Sequence, residues 1–194
     1  MKAVCVYCGS SNGAKPVYGE TVEAFGRALV KANLALVYGG GKVGLMGRIA
    51  DSVMAAGGRA IGVIPELLVD KEVGHHGLTE LHVVPDMHQR KKMMADLSDA
   101  FVALPGGAGT LEELFEVFTW SQLGYHRKPV AVLNIAGFYD PLIAMLEHTV
   151  REGFTQRAYF DTLQIDSDPD ALIGKLQRYR PLIKDKWSQH RDAV

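Results

Sequence analysis

The chain has 194 residues, 47% of them hydrophobic and 22% charged, which suits one globular domain with a sizeable core and a single active site. Its 21 lysines and arginines are offset by 22 acids, a formal net charge of -1, so no overall positive field exists to hold a nucleic-acid polyanion. No stretch approaches the ~18 apolar residues of a membrane span, and the apolar run within Met1 to Gly9 is too short for a signal-peptide core. The expectation is a cytoplasmic protein that takes a small charged ligand in a local pocket, with no nucleic-acid or membrane partner.

Apolar runs at Ala3–Cys8, Leu34–Tyr38, Ala60–Ile64, Leu81–Val84, Ala100–Leu104, Val130–Asn134 and Leu163–Ile165 predict seven strands. Amphipathic stretches lie between them, such as Val22, Phe25, Leu29 and Val30 in the first, or Leu142, Ile143, Leu146 and Val150 in the sixth. Strands apolar at consecutive positions, each followed by a helix, imply an α/β fold: a single-domain, Rossmann-like, doubly wound parallel sheet with helices on both faces. Residues 1–180 are expected to form that single domain. The tail 181–194, with Lys184, Lys186, His190 and Arg191, reads as a solvated end. Cys5 and Cys8 spell C-x-x-C, but on a strand their Cα atoms stand ~10 Å apart on opposite faces, too far for a disulfide. They are expected to be buried strand cysteines.

In such sheets ligands collect at the carboxyl ends of the strands. Three loops there are rich in glycine: Gly9-Ser10-Ser11-Asn12-Gly13, Gly39-Gly40-Gly41-Lys42-Val43-Gly44 and Pro105-Gly106-Gly107-Ala108-Gly109-Thr110. Glycine lets a backbone approach an anion, and the N–H groups of the following helix point at it, so the three together suggest a phosphate-bearing ligand. Strand-to-helix turns also need glycine for their own sake. The second loop matches G-x-G-x-x-G at Gly39, Gly41 and Gly44, with Glu66 where a ribose-binding acid would sit, though it follows the second strand and not the first.

The third loop opens a helix whose buried face is marked by Leu111, Leu114, Phe115 and Phe118. Thr110 and Glu113 fit a capping box, which predicts Thr110 as N-cap and Glu113 in the first helical turn, its charged form favoured by the helix dipole. An anion there would steady positive charge developing on a sugar ring, or orient water. The stretch Met87-His88-Gln89-Arg90-Lys91-Lys92-Met93-Met94 opens the preceding helix. Neighbouring strands bring their top loops together, so Arg90 and Lys91 are expected to reach the pocket of Glu113, although a basic helix face is also a common solvated surface. The seven histidines show no metal-ligand spacing, and no metal is expected.

Together, Met87-His88-Gln89-Arg90-Lys91 and Pro105-Gly106-Gly107-Ala108-Gly109-Thr110-Leu111-Glu112-Glu113 resemble the signature of the "lonely guy" family of cytokinin-activating phosphoribohydrolases. That family's M-H-x-R-K and P-G-G-x-G-T-x-x-E stretches are matched without a break, and the likeness extends through Val37 to Gly41 and Thr119 to Gly124. The resemblance implies hydrolysis of the N-glycosidic bond of N6-substituted adenosine 5'-monophosphates to the free base and ribose 5-phosphate, without metal or cofactor, by a homodimer. By motif it makes Arg90 and Glu113 the catalytic pair. It places substrate contacts on Lys91, on Gly107, Ala108, Gly109, Thr110, Leu111 and Glu112, on Thr119, and more loosely on Glu72. Ser10 and the Gly39, Gly40, Gly41 loop join them as expected helpers with the phosphate. Members of this group are often labelled lysine decarboxylases, but no lysine stands in an evident Schiff-base setting. The apolar residues from Phe115 to Leu123 would serve either a dimer interface or the core.

Two other readings stay open on sequence: a nicotinamide-dinucleotide oxidoreductase, resting on Gly39, Gly41 and Gly44, and a non-catalytic nucleotide or cofactor carrier on the same kind of fold.

Overall fold

The computed structural model describes residues 1–69 and 74–181. In chain order the elements are β1 (Ala3–Tyr7), α1 (Pro16–Lys31), β2 (Ala35–Tyr38), α2 (Gly44–Ala55), β3 (Ala60–Pro65), α3 (Glu66–Val69), β4 (Glu80–Val84), α4 (Met87–Asp96), β5 (Ala100–Ala103), α5 (Ala108–Gln122), β6 (Val130–Leu133), α6 (Asp140–Arg151), α7 (Arg157–Phe160), β7 (Leu163–Asp166) and α8 (Pro169–Arg178). All seven expected strands are present, with no end shifted by more than one residue. The short helices α3 and α7 carry no periodic pattern long enough to have announced them.

The strands form one parallel sheet in the order β4-β3-β2-β1-β5-β6-β7. Their apolar residues serve two cores. Val4 and Val6 of β1, with Cys8 beyond it, face α1, α2 and α8 through Phe25, Leu29, Ile49, Val53, Leu172 and Leu176. Ala3, Cys5 and Tyr7 face α4, α5 and α6 through Met94, Leu114, Val117, Phe118 and Leu146. Covering both faces explains why the five inner strands are apolar along their length and do not alternate, whereas the edge strands β4 and β7 carry Glu80, His82, Gln164 and Asp166. Each fully buried Phe or Leu, such as Phe25 and Leu29, contributes roughly 1.5–3 kcal/mol.

Cys5 and Cys8 therefore lie on opposite faces, free and buried. Burial pushes the Cys5 thiol up to about 12 and raises Cys8 as well.

Strand β1 has β2 on one side and β5 on the other, and the helices that follow β1 and β5 go to opposite faces. The loops at their carboxyl ends diverge there, which opens the crevice in which doubly wound sheets hold ligands. One expectation fails at this point. β4, which precedes the helix carrying Arg90, lies at the sheet edge with β3, β2 and β1 between it and β5, so the two top loops are not neighbours. Arg90 reaches the crevice by another route: α4 runs back across the sheet and packs over β3 and β4. Among the described residues no helix is long and apolar enough to cross a membrane.

Candidate active site

Asp86 starts α4. Its carboxylate accepts hydrogen bonds from the Gln89 backbone N–H (2.8 Å) and from Gln89 Nε2 (3.2 Å). The Gln89 N–H, more than any other group, holds the Asp86 carboxyl below the usual carboxylate range. One turn on, Arg90 points inward and is 7% exposed. A buried guanidinium is costly unless its N–H groups find partners. Nε donates to Val63 O (3.1 Å) and Nη2 to Gly39 O (3.4 Å), while Nη1 lies 3.7 Å from Glu113 Oε1. Two main-chain carbonyls thus fix the arginine, and its third nitrogen faces the carboxylate.

Glu113 comes from α5, and here the capping box is corrected. The N-cap is Gly107, without a side-chain cap hydrogen bond, so Thr110 is inside the helix and Glu113 is in its second turn. The physical reason is packing: Thr110 is buried against Gly106, where a Cβ would stand 2.1 Å from Thr110 Oγ1, and it is not free to sit at the cap. Glu113 therefore lies beyond the first turn, where the helix dipole acts most strongly, and its charged neighbour is Arg90. Because Gly107 offers no capping side chain, the first N–H groups of α5 are left to water or a ligand.

These groups meet around a cleft of about 320 Å³ lined by Cys8, Gly9, Ser10, Met46, Met87, Arg90, Gly107, Ala108, Gly109, Thr110, Glu112 and Glu113. The cleft thus combines a helix N-terminus for an anion, a guanidinium beside a carboxylate, and a soft apolar wall of Met46, Met87 and the neutral Cys8 thiol. Among the described residues no group of three or more His, Cys, Asp or Glu is placed to hold a metal ion.

The glycines divide into two kinds. A Cβ at Gly44 would stand 2.2 Å from the Ser10 carbonyl carbon, and one at Gly39 would stand 2.0 Å from Arg90 Nη2. Those positions serve contacts within the protein. At Gly107 and Gly109 a Cβ would meet nothing within 4 Å, so no neighbour in the chain demands glycine there.

Of the expected substrate residues, Ser10, Gly107, Ala108, Gly109, Thr110 and Glu112 line the cleft with Arg90 and Glu113. Gly39, Gly40 and Gly41 do not: they are buried, and Gly39 meets the cleft only through Arg90. Lys91 is also off the cleft lining, held by Glu112 (2.6 Å) and Glu116 (2.9 Å). Partial burial pulls its pKa down, but those two carboxylates outweigh it and leave the ammonium above the ordinary lysine value. Leu111 packs against the α4–α6 core. Thr119 is exposed far down α5, ~16 Å along the axis from Ala108, and Glu66 is exposed at the start of α3. Glu72 lies outside the described residues, as does the tail beyond Pro181. Gly9 lines the cleft from the first glycine-rich loop and Met87 from the start of the Arg90 motif, while sequence reading missed Cys8 and Met46 as lining, and it missed Asp86, whose D-x-x-Q spacing with Gln89 was a usable helix-start signal.

A family model described as "Possible lysine decarboxylase" matches residues 46–176. A cytokinin riboside 5'-monophosphate phosphoribohydrolase of Rhodococcoides fascians is 49% identical over 177 residues, covering 91% of this chain and 89% of that protein. The chain belongs to this phosphoribohydrolase family. A further member, from Arabidopsis thaliana, is 46% identical over 93% of this chain and 83% of its own length, and a probable one from Oryza sativa is 46% identical over 96% and 79%. Among solved structures, a molybdenum cofactor carrier protein from Chlamydomonas reinhardtii superposes with a TM-score of 0.66 at 19% identity, covering 91% of this chain and 97% of that one. A molybdenum cofactor binding protein from Rippkaea orientalis gives 0.67 at 21% identity, covering 91% and 96%. These two share the Rossmann-like fold. The phosphoribohydrolase family is set by the sequence relatives, and among the described residues no lysine lines the cleft.

Proposed function

We infer that this chain hydrolyses the N-glycosidic bond of nucleoside 5'-monophosphates to free base and ribose 5-phosphate, acts on N6-substituted adenosine 5'-monophosphates, and uses Arg90 and Glu113 as its reacting pair. One observation carries the reading: the Arg90 guanidinium and the Glu113 carboxylate lie 3.7 Å apart and face one cleft with the uncapped start of α5.

The 5'-phosphate sits on the N–H groups of Gly107 to Thr110, where backbone dipoles favour an anion and the bare Cα of Gly107 and Gly109 permits close approach. That seat places the ribose toward Glu113. As the bond between the anomeric carbon and the base nitrogen breaks, positive charge grows on the sugar ring, and the carboxylate stabilises it. Water adds its oxygen to the anomeric carbon, and the base nitrogen takes up a proton. Arg90, fixed by the Val63 and Gly39 carbonyls, positions the nucleotide and balances the negative charge gathered in the cleft. The reaction consumes water alone.

A homodimer suits the outer face of α5. Phe115 is 38% exposed and Thr119 is exposed one turn beyond it, while Met87, at the cleft, is 40% exposed. A second copy seated there buries this apolar surface. It also gives Thr119, too far from its own cleft, a route to substrate in the neighbouring one.

The oxidoreductase reading loses its support because Gly39 accommodates Arg90 and Gly44 backs onto Ser10. The carrier reading draws on the shared fold. Both are tested by incubating the protein with AMP, N6-isopentenyl-AMP, GMP and CMP and assaying ribose 5-phosphate. Release from the adenosine monophosphates is expected. Binding without release by the parent protein would establish a carrier.

A further inference from the structure

Four polar or charged residues are buried among the described residues: His75, Arg90, Ser98 and Thr110. Arg90 and Thr110 line the cleft. Ser98 satisfies itself within its own turn, donating to Met94 O at 2.8 Å. His75 has neither explanation, and it stands outside every motif the sequence offers.

We propose that His75 is a positioning residue for Arg90, acting through the glycine loop Gly39–Gly41. The imidazole Nδ1 accepts from the Gly77 N–H (3.3 Å), so the ring proton sits on Nε2 and is donated to Asp51 Oδ1 on α2 (2.9 Å). The ring thereby staples the backbone around residues 74–77 to α2. That backbone in turn grips the glycine loop: the His75 N–H donates to Gly40 O (3.0 Å), and Gly74 bridges to Gly41 in antiparallel fashion. The neighbouring carbonyl of the same loop, Gly39 O, accepts from Arg90 Nη2.

A run of three glycines has no side chains with which to hold itself and has more backbone freedom than any other tripeptide. Its position is set by what bonds to its main chain. Arg90 meets Gly39 O at 3.4 Å, the long end of a hydrogen bond, so a small slip of the loop loses the contact. A displacement of about 1 Å in a positioned group is enough to cost up to about a hundredfold in rate.

The proposal rests on the active-site reading above, in which Arg90 acts on the substrate. The test is a double-mutant cycle on ribose 5-phosphate release from AMP and N6-isopentenyl-AMP. His75→Leu is expected to lower kcat about tenfold, with KM changing less than about threefold. His75→Gln, whose amide can donate to Asp51, is expected to recover most of that loss. In an Arg90→Ala background His75→Leu should change kcat by less than about twofold, because the arginine it positions is gone. Asp51→Ala removes the staple from an exposed helix position and provides the same readout if His75→Leu does not fold.

An equal loss from His75→Leu in the presence and absence of Arg90 would overturn the proposal while leaving the active site intact. So would a kcat within twofold of the parent for both His75→Leu and Asp51→Ala. If Arg90→Ala itself keeps the parental rate, the active-site reading fails and takes this inference with it.

Discussion

The two loops Gly39–Gly41 and Gly106–Gly109 look alike in sequence and differ in what their glycines do. In the first, the glycines are buried, and the Arg90 guanidinium lies where a side chain of residue 39 would begin. In the second, Gly107 and Gly109 face space that the protein leaves open at the start of a helix. One loop gives up its side chains to seat an internal cation, and the other, on the function proposed above, gives them up to admit an external anion. A glycine-rich loop at the end of a strand is thus evidence of close approach, and only the neighbours reveal what approaches.

This contrast can be broken experimentally. Glu113→Gln and Arg90→Ala should each lower kcat by about 10²- to 10³-fold, the usual loss when a group that stabilises transition-state charge is removed. Ribose 5-phosphate release measures it, and a rate within a few-fold of the parent in both would remove the site. Gly39→Ala comes next. A methyl there displaces the guanidinium, so kcat should fall about tenfold, and Tm should drop by several degrees because a buried cation loses a partner. Gly109→Ala should behave in the opposite way. Alanine is the better helix former, so Tm is expected to hold or rise by about 2 °C, while KM for the phosphorylated substrate rises about fivefold or more as the methyl intrudes on the phosphate seat. A Gly109→Ala enzyme with parental KM would place the phosphate elsewhere. The smallest effect concerns the cysteines. With both thiols buried and their pKa values raised, a thiol reagent at pH 8 should label neither Cys5 nor Cys8 in the native protein and both after denaturation.

The fold was largely legible because the inner strands are short apolar runs and the longer helices carry an amphipathic pattern. Val4 and Val6 on one face and Cys5 and Tyr7 on the other show why: a strand covered on both sides cannot alternate. The same uniformity hides strand order. Nothing in Ala100–Ala103 indicates that it lies beside Ala3–Tyr7, with β4 at the far edge, and so the route by which Arg90 reaches the cleft was misread.

The acidic side of the site was legible as a contiguous motif from Gly107 to Glu113. The helix start within it was not. Thr110 and Gly107 rank about equally as caps by propensity, and tertiary packing of Thr110 against Gly106 decides the matter. The supports of Arg90 were invisible for a deeper reason. They are the carbonyls of Val63 and Gly39, and a main-chain acceptor leaves no mark on the residue type that carries it.

The strand order also has a consequence for how the protein is made. One edge of β1 is covered as soon as β2 exists, but the other waits for β5, whose Ala100 pairs with Val4. Until then, four strands have emerged and the central strand still presents an open ladder of N–H and C=O groups, the kind of edge that recruits foreign strands. The cleft forms at the seam where that ladder is finally closed. The cleft therefore cannot precede closure of that ladder, and pulsed hydrogen exchange should find the Cys5 and Tyr7 amides, which face β5, protected no later than the phase in which substrate turnover appears.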